Sequence, residues 1–510
     1  MNLPYRESSS PFAMTMEPSP APASPSPYED TGENDVKIIN TTMPEKVESS
    51  LVDSLIAKQM SSLTMDQREQ TYYDIHGISN NKETPELIQE SHLKMDTQLS
   101  IMTEAAAYRK AEELNPTYVR DDQFRLKFLR ADRFDAKQAA LRMARHFEAK
   151  LDLFGESKLC EDITQNDLTP GDMDALVTGV GHLPIRDSTG RLVRISFSHN
   201  GVDIAGSTMQ ILRALFYSLM VLSDDEETQN NGVVFVSWAV GFKQDSAIAQ
   251  KTKSDDFKNA IWAMVKLAFT AIPLRHEAFH LCYDNFFLSP IFAMIKISLG
   301  LYLRVRVRAH YGNKLECQRK LQTFGIPTTV MPLKASDMDS AKKIWQKRLK
   351  YENLDPKSRP RTVFVPGHLD ILLGRGRRCQ EHVGNMRLRN LVEDCKPEYD
   401  QASRKEKTLI SQEIVDNVKK NSHHFLKDED EGWVEVDDNV ARLKVSHTFR
   451  DVAKDAKKKE GNISDAASVV SSESKSEAKK RDRDESSDDN MMMECLQTTK
   501  QERRPSDDAY

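Results

Sequence analysis

The string GVVFVSWAVGF, residues 232–242, leaves the chain little freedom. An apolar run this short, bounded by glycines and rich in valine, fits a strand covered on both of its faces. Such a strand needs helices on both sides. The neighbouring sequence offers them in alternation: a wet-faced strand with Val193, Ile195 and Phe197 opposite Arg194, Ser196 and Ser198, then a helix over about 207–222. After the central run come the helix SDDFKNAIWAMVKLAFTAI, the strand AFHLCYD, an apolar helix from about Ser289, an arginine-rich strand and the helix NKLECQRKLQTFG. This order predicts an α/β fold with a mixed, mainly parallel sheet covered by helices.

In the arginine-rich stretch, Arg304, Arg306 and Arg308 alternate with Val305, Val307 and Ala309. A strand would place the three guanidinium groups on one face. That face could meet solvent, internal acids or a bound anion, since guanidinium makes forked, charge-assisted bonds to phosphate. The preceding FFLSPIFAMIKISLGLYL, residues 286–303, approaches the length of a membrane span. Pro290 and Lys296 interrupt it, and its position inside an α/β pattern reads as a helix over an apolar cavity.

Upstream, Asp135 can cap a helix, with Gln138 three residues on and Ala136, Ala140, Met143, Phe147 and Leu151 on one stripe. Phe124, Phe128 and Leu129 form the stripe of a preceding helix, which makes a helical hairpin. Residues 51–104 read as short helices, whereas 1–50 and 454–510 are too rich in Pro, Ser and charge to build a core and are expected to be disordered. The net charge of −6 confines any polyanion contact to local patches. Six cysteines without a paired spacing read as reduced thiols, and no signal peptide is expected at the start.

Several strings in this order resemble the lipid-binding module of the CRAL-TRIO or Sec14-like family. RLKFLRADRFDAKQAALRM is similar to its N-terminal hairpin, RDSTGRLVRI to its first strand, NGVVFVSWAVGF to its central strand and AIPLRHEAFHLCYDN to its P-x-R turn and following strand. The resemblance covers about residues 105–335, with 105–160 as the N-terminal helical region and 161–335 as the lipid-binding part. It implies binding of a phospholipid or other hydrophobic ligand, and its transfer or sensing, in a cavity closed by a gate helix at 289–302. The cavity and gate residues it implies are Phe292, Ile295, Leu299, Tyr302, Val234 and Val236, with Arg304, Arg306 and Arg308 beside them for an anionic headgroup. Asp132 and Leu274 stand where phosphatidylinositol-binding members carry a base and an acid, so that ligand is not assigned.

Residues 336–366 read as a helix and a linker marked by Pro356, Pro360 and Pro366. A small α+β unit over 367–453 follows, and its G-R-G…H-x-G-N-x-R-x-R-x-L-V string is similar to a domain of unknown function associated with diatoms and related algae. Arg375, Arg377, Arg378, Arg387 and Arg389 outnumber acids there. They admit a second function, a nuclear or signalling adaptor contacting nucleic acid or an acidic partner, against the plainer reading of a basic surface loop. No spacing proposes a catalytic group, a metal or a cofactor; His423 and His424 are adjacent and point apart on a strand. The expectation is a non-enzymatic, cytoplasmic protein that visits membranes, the nucleus being the compartment of the adaptor reading.

Overall fold

The computed structural model describes residues 49–78, 83–103, 105–180, 185–197, 206–241, 254–328, 338–355, 357, 362–421, 423–430 and 432–455. The tails expected to be disordered lie outside these residues, apart from Ser49 and Ser50, which open the first helix, and the two residues 454 and 455. Contacts divide the chain into two units, one reaching Gly384 and including Phe425–Glu435, the other formed by Asn385–His424 and the chain from Val436.

The first unit begins with helices α1 (Ser49–Ser62), α2 (Met65–His76), α3 (Pro85–Ile101) and α4 (Ala106–Leu114). A capping box of Thr64 and Gln67 starts α2. Gly77 ends it at φ +71°, where a Cβ would stand 2.2 Å from Thr189 Oγ1, so glycine alone lets α2 close on the strand turn. The hairpin read from sequence is α5 (Asp122–Ala131) and α6 (Ala136–Phe154). Asp135 accepts from the amides of Lys137 and Gln138, and Phe124, Phe128 and Leu129 bury against Ala136, Ala140, Met143 and Phe147.

The sheet follows as β1 (Ile185–Arg186), β2 (Leu192–Phe197), α7 (Thr208–Ser223), β3 (Val233–Ala239), α8 (Asp255–Lys266) and β4 (His276–Tyr283). It ends with α9 (Ser289–Ser298), α10 (Leu301–Arg304), β5 (Val307–Tyr311) and α11 (Lys314–Gln322). The strands lie in the order β1-β2-β3-β4-β5, the first pair antiparallel and the rest parallel. Residues of α7 to α10 pack on one side of the sheet, as crossovers of one hand stepping in one direction require. On the other side, Ile75 of α2 and Cys317 and Leu321 of α11 pack on Val193, Ile195, Val234, Val236, Trp238, Ala278 and Cys282.

Two sequence expectations are corrected here. Val234 and Val236 do not line a cavity beneath the apolar helix. Strand alternation turns them to the α2 and α11 side, while Phe235, Phe279 and Leu281 face α9. A run that is apolar on both faces carries no mark of which residues look which way. Nor do the three arginines share a strand: Arg304 ends α10, Arg306 lies in the turn after it and only Arg308 is in β5. One helical turn after Gly300 instead buries Tyr302 and Leu303 in the apolar cluster and takes Arg304 back over the end of α9.

α12 (Met338–Glu352) follows and buries Trp345 in the core beneath α7. A second sheet contains β6 (Thr362–Val363), β7 (Ile371–Leu373), β8 (Phe425–Glu429) and β9 (Gly432–Glu435) in the order β6-β9-β8-β7. It belongs to the first unit and buries Leu372, Cys379, Leu426 and Trp433. The second unit is helical: α13 (Val383–Gln401) from Asn385 onward, α14 (Arg404–Lys420) and α15 (438–455). There the rings of Tyr399 and Phe449 stack with centroids 3.7 Å apart. Together these two stretches hold the helices and strands read over 367–453. Among the described residues no helix is long and apolar enough to cross a membrane.

Candidate functional site

The α5–α6 corner is held by two non-glycine residues in the left-handed region, Arg133 at φ +54° and Phe134 at +64°. Each such residue costs about 1 kcal/mol or more, so the surroundings must fix it. Arg133 donates to Tyr302 Oη at 3.0 Å, Asp74 Oδ1 at 2.5 Å and Glu277 Oε2 at 2.6 Å. Arg306 donates twice to Asp74 Oδ2, at 2.8 and 2.6 Å, and once to the Tyr302 carbonyl at 2.6 Å. Its guanidinium also lies 3.6 Å from the Tyr302 ring centroid. Arg275 reaches Glu277 Oε1 at 2.5 Å, and Arg191 donates to the carbonyls of Asp74 and Ile75 while holding Asp187.

The result is a buried network in which Asp74 and Glu277 share Arg133. Burial, and then the nearby Glu277 charge, push the Asp74 carboxyl above its ordinary range. For Glu277 burial works the same way, but Arg133 and Arg275 outweigh it and its carboxyl lies low. Burial also raises the Tyr302 phenol, to about 12. A cavity of about 230 Å³ opens beside the network, with Gln67, Gln70, Asp132, Arg133, Tyr302 and Arg306 on its wall. It is polar along α2 and the corner and apolar at Leu63, Leu301 and Val305.

Of the three sequence-predicted arginines, only Arg306 belongs to this network. Arg304 satisfies the carbonyls of Lys296, Ile297 and Leu299 at the end of α9 and bonds Gln59. Arg308 donates to the Val305 and Val307 carbonyls. The departures from the family pattern have local explanations. Asp132 is tied to Arg142 by two 2.7 Å bonds, and a carboxylate reaches the P-x-R turn from Glu277, two residues beyond Arg275. Sequence reading missed Asp74, Glu277 and Arg133. Arg133 lay inside the hairpin string, whereas nothing in the sequence linked Asp74 to residues more than two hundred positions away.

On the crossover side of the sheet, Phe235, Phe279 and Leu281 meet Phe292, Leu299, Tyr302 and Leu303, with Ile291 and Ile295 packed against them. Phe235 and Phe279 lie 4.5 Å apart, Phe269 covers both, and Arg194, beside Phe235 in the ladder, sits over its ring at 5.7 Å. Burial lowers Arg194 to about 10. The four residues expected at the gate, Phe292, Ile295, Leu299 and Tyr302, thus come together on one apolar surface.

In the C-terminal region, Arg375 and Arg377 lie in the first unit, both exposed, and Arg377 bonds Glu381 at 2.6 Å. Arg387 and Arg389 lie in the second, where Arg389 pairs with Asp455. The Arg378 side chain is outside the described residues.

A helical hairpin followed by a mainly parallel sheet, one face sealed and the other closed by an apolar helix, is the architecture that the CRAL-TRIO resemblance implies. Comparison with known proteins adds the relatives. The chain is similar to clavesin-1 of Xenopus laevis and of Rattus norvegicus, 30% identical over 211 residues, 39% of this chain and 57% and 54% of those proteins. To clavesin-2 of Homo sapiens it is 29% identical over 211 residues, 58% of that protein. The chain thus spans a little over half the length of the curated relatives it matches. Residues 370–451 match a family model described as a domain of unknown function, DUF6824.

Proposed function

We propose that residues 105–335 bind a phospholipid or other hydrophobic ligand between α9 and the sheet, that α9 and α10 form the gate, and that the protein carries or senses this ligand at membranes from the cytoplasm. The observation that carries the reading is the pair of facing apolar surfaces: Phe235, Phe279 and Leu281 on the sheet, Phe292, Ile295 and Leu299 on the helix side. Withdrawal of the helix between Pro290 and Gly300 as one piece would expose large side chains suited to acyl chains or rings. The similarity to clavesins and the family resemblance support the same reading. At the α10 end, an anionic headgroup would enter the 230 Å³ cavity and replace the Asp74 carboxylate on Arg306, a residue already arranged for forked bonding.

The test is mass spectrometry of small molecules extracted from the purified full chain, followed by uptake from liposomes. A stoichiometric hydrophobic ligand is expected. A folded protein that is repeatedly empty and takes up nothing would overturn the reading. The gate is tested by changing Ile295 and Leu299 together to Asp, which should slow exchange between liposomes.

A further inference from the structure

Phe292 and Leu299 are buried, so in this arrangement the gate helix offers them to the interior and not to a membrane. Apolar surface meets water elsewhere. Phe286 is 65% exposed and Tyr311 47%, yet the two rings stack face to face, centroids 4.5 Å apart and planes 20° from parallel. Tyr283 joins both and continues to Phe292, at 5.1 Å between centroids, so a ladder of rings runs from the gate helix to the surface. Leu315, 55% exposed, lies in the first turn of α11, four residues after Tyr311. Exposed large apolar groups held rigid in this way mark a contact surface.

The charges around them identify the partner. Lys314 and Arg319 are exposed, Arg319 one turn beyond Leu315 on the same helix face, and Lys320 donates to the Tyr311 carbonyl at 2.7 Å. The acids in the same segments point to backbone amides: Glu316 to Asn313 and Asp284 to Gly241, each at 2.8 Å. We propose that the Phe286–Tyr311 ledge, with Leu315 and the cations of α11, docks on the surface of a bilayer containing anionic lipid. Tyrosine and phenylalanine sit at the level of lipid headgroups, and basic side chains near them are drawn to the negative surface. Because Phe286 leads directly into α9, docking would set the gate against the lipid. This last consequence rests on the ligand reading above.

The experiment is co-sedimentation of the full chain with vesicles of phosphatidylcholine alone and of phosphatidylcholine with phosphatidylserine. Wild-type protein should sediment with the mixed vesicles and less with the neutral ones. Phe286→Ser with Tyr311→Ser should weaken binding about tenfold or more, and Lys314→Glu with Arg319→Glu should remove the preference for phosphatidylserine. Both are surface changes, and thermal melts should match wild type. In a Phe286→Trp variant, brominated lipid should quench the new indole. Wild-type protein that ignores both vesicles, or a double serine variant that sediments like wild type, overturns the proposal. So does a ledge whose loss changes only the oligomeric state, which would assign it to a second copy of this chain. Extracting lipid from the same variants separates the two readings: a protein that keeps its ligand but no longer sediments has lost the docking surface alone.

Discussion

The two faces of the five-stranded sheet are built from the same apolar alphabet and sealed in different ways. On one, mostly branched and small side chains of β2, β3 and β4, with Trp238, meet α2 and α11, and Arg191 fastens the end of α2 through two carbonyls. On the other, phenylalanines meet a ten-residue helix with a proline in its first turn and a glycine two residues past its end. The first is a closed core. The second is a contact between large side chains and a short helix with Pro290 and Gly300 near its ends, the arrangement on which the proposed gate rests. The Asp74–Arg133–Arg306–Tyr302 network joins them, since Asp74 comes from α2 and Tyr302 and Arg306 from the α10 side.

The sharpest way to break this comparison is to cut the joint. Replacing Arg133 by Ala leaves Asp74 and Glu277 buried without their shared cation, and about 3–5 kcal/mol of stability should disappear in urea denaturation. Adding Asp74→Asn should restore part of it. A loss under about 1 kcal/mol for Arg133→Ala would mean the network is solvated and joins nothing.

The faces themselves are compared by truncation. Ile195→Ala on the closed face and Phe279→Ala on the aromatic face should each cost about 2–5 kcal/mol. Their dependence on lipid should differ. Ligand bound between α9 and the sheet stabilises only the folded form, so wild type and Ile195→Ala should both gain stability when loaded, while Phe279→Ala gains less. Equal gains for both variants would take the ligand away from that face.

Acid should act through histidines. His146, His276, His280 and His310 are all buried, and burial lowers each of them, His276 to about 3 and His310 to about 4. His280 Nδ1 and His310 Nε2 lie 2.8 Å apart, which needs one donor and one acceptor, so at least one ring is neutral and the bond is lost when both are protonated. A group whose folded pKa is depressed gives stability that is present above its unfolded value of about 6.5 and is lost on acidification. Between pH 6.5 and about 4 each such histidine should cost up to about 1.4 kcal/mol per pH unit. His280→Phe with His310→Phe should flatten the slope seen in urea melts across that window, and an unchanged slope would put the protons elsewhere.

How much of this was legible in the chain follows from the range of each interaction. The hairpin, its Asp135 cap and the order of strands and helices depend on spacings of two to four residues, which sequence displays directly. The alternation of β3 was legible too, but not its polarity: Val234 and Phe235 are equally apolar, and only the side on which the connecting helices pack decides that the phenylalanine faces α9. The arginine stretch misled for a related reason, since a period of two is also what a helical turn followed by a short strand can show over six residues. Asp74 was invisible because its partners lie 59 and 232 positions away.

The smallest expected effect separates two of the three arginines that sequence reading joined. Arg306 makes two charge-assisted bonds to a buried carboxylate, so Arg306→Ser should cost about 3 kcal/mol or more and, if a headgroup replaces Asp74, should weaken uptake of acidic lipids more than of neutral ones. Arg308 donates to the main-chain carbonyls of Val305 and Val307. Burial, and then the charge of Arg306, lowers its pKa, so its cation is tolerated rather than demanded. Arg308→Ala should therefore cost only about 1 kcal/mol, the net worth of such bonds, and leave the ratio of acidic to neutral lipid taken up unchanged. If instead that ratio falls for Arg308→Ala and holds for Arg306→Ser, the headgroup lies on the β5 side of the turn. The Asp74 network would then be a structural tie between the two faces of the sheet, with no part in recognising the ligand.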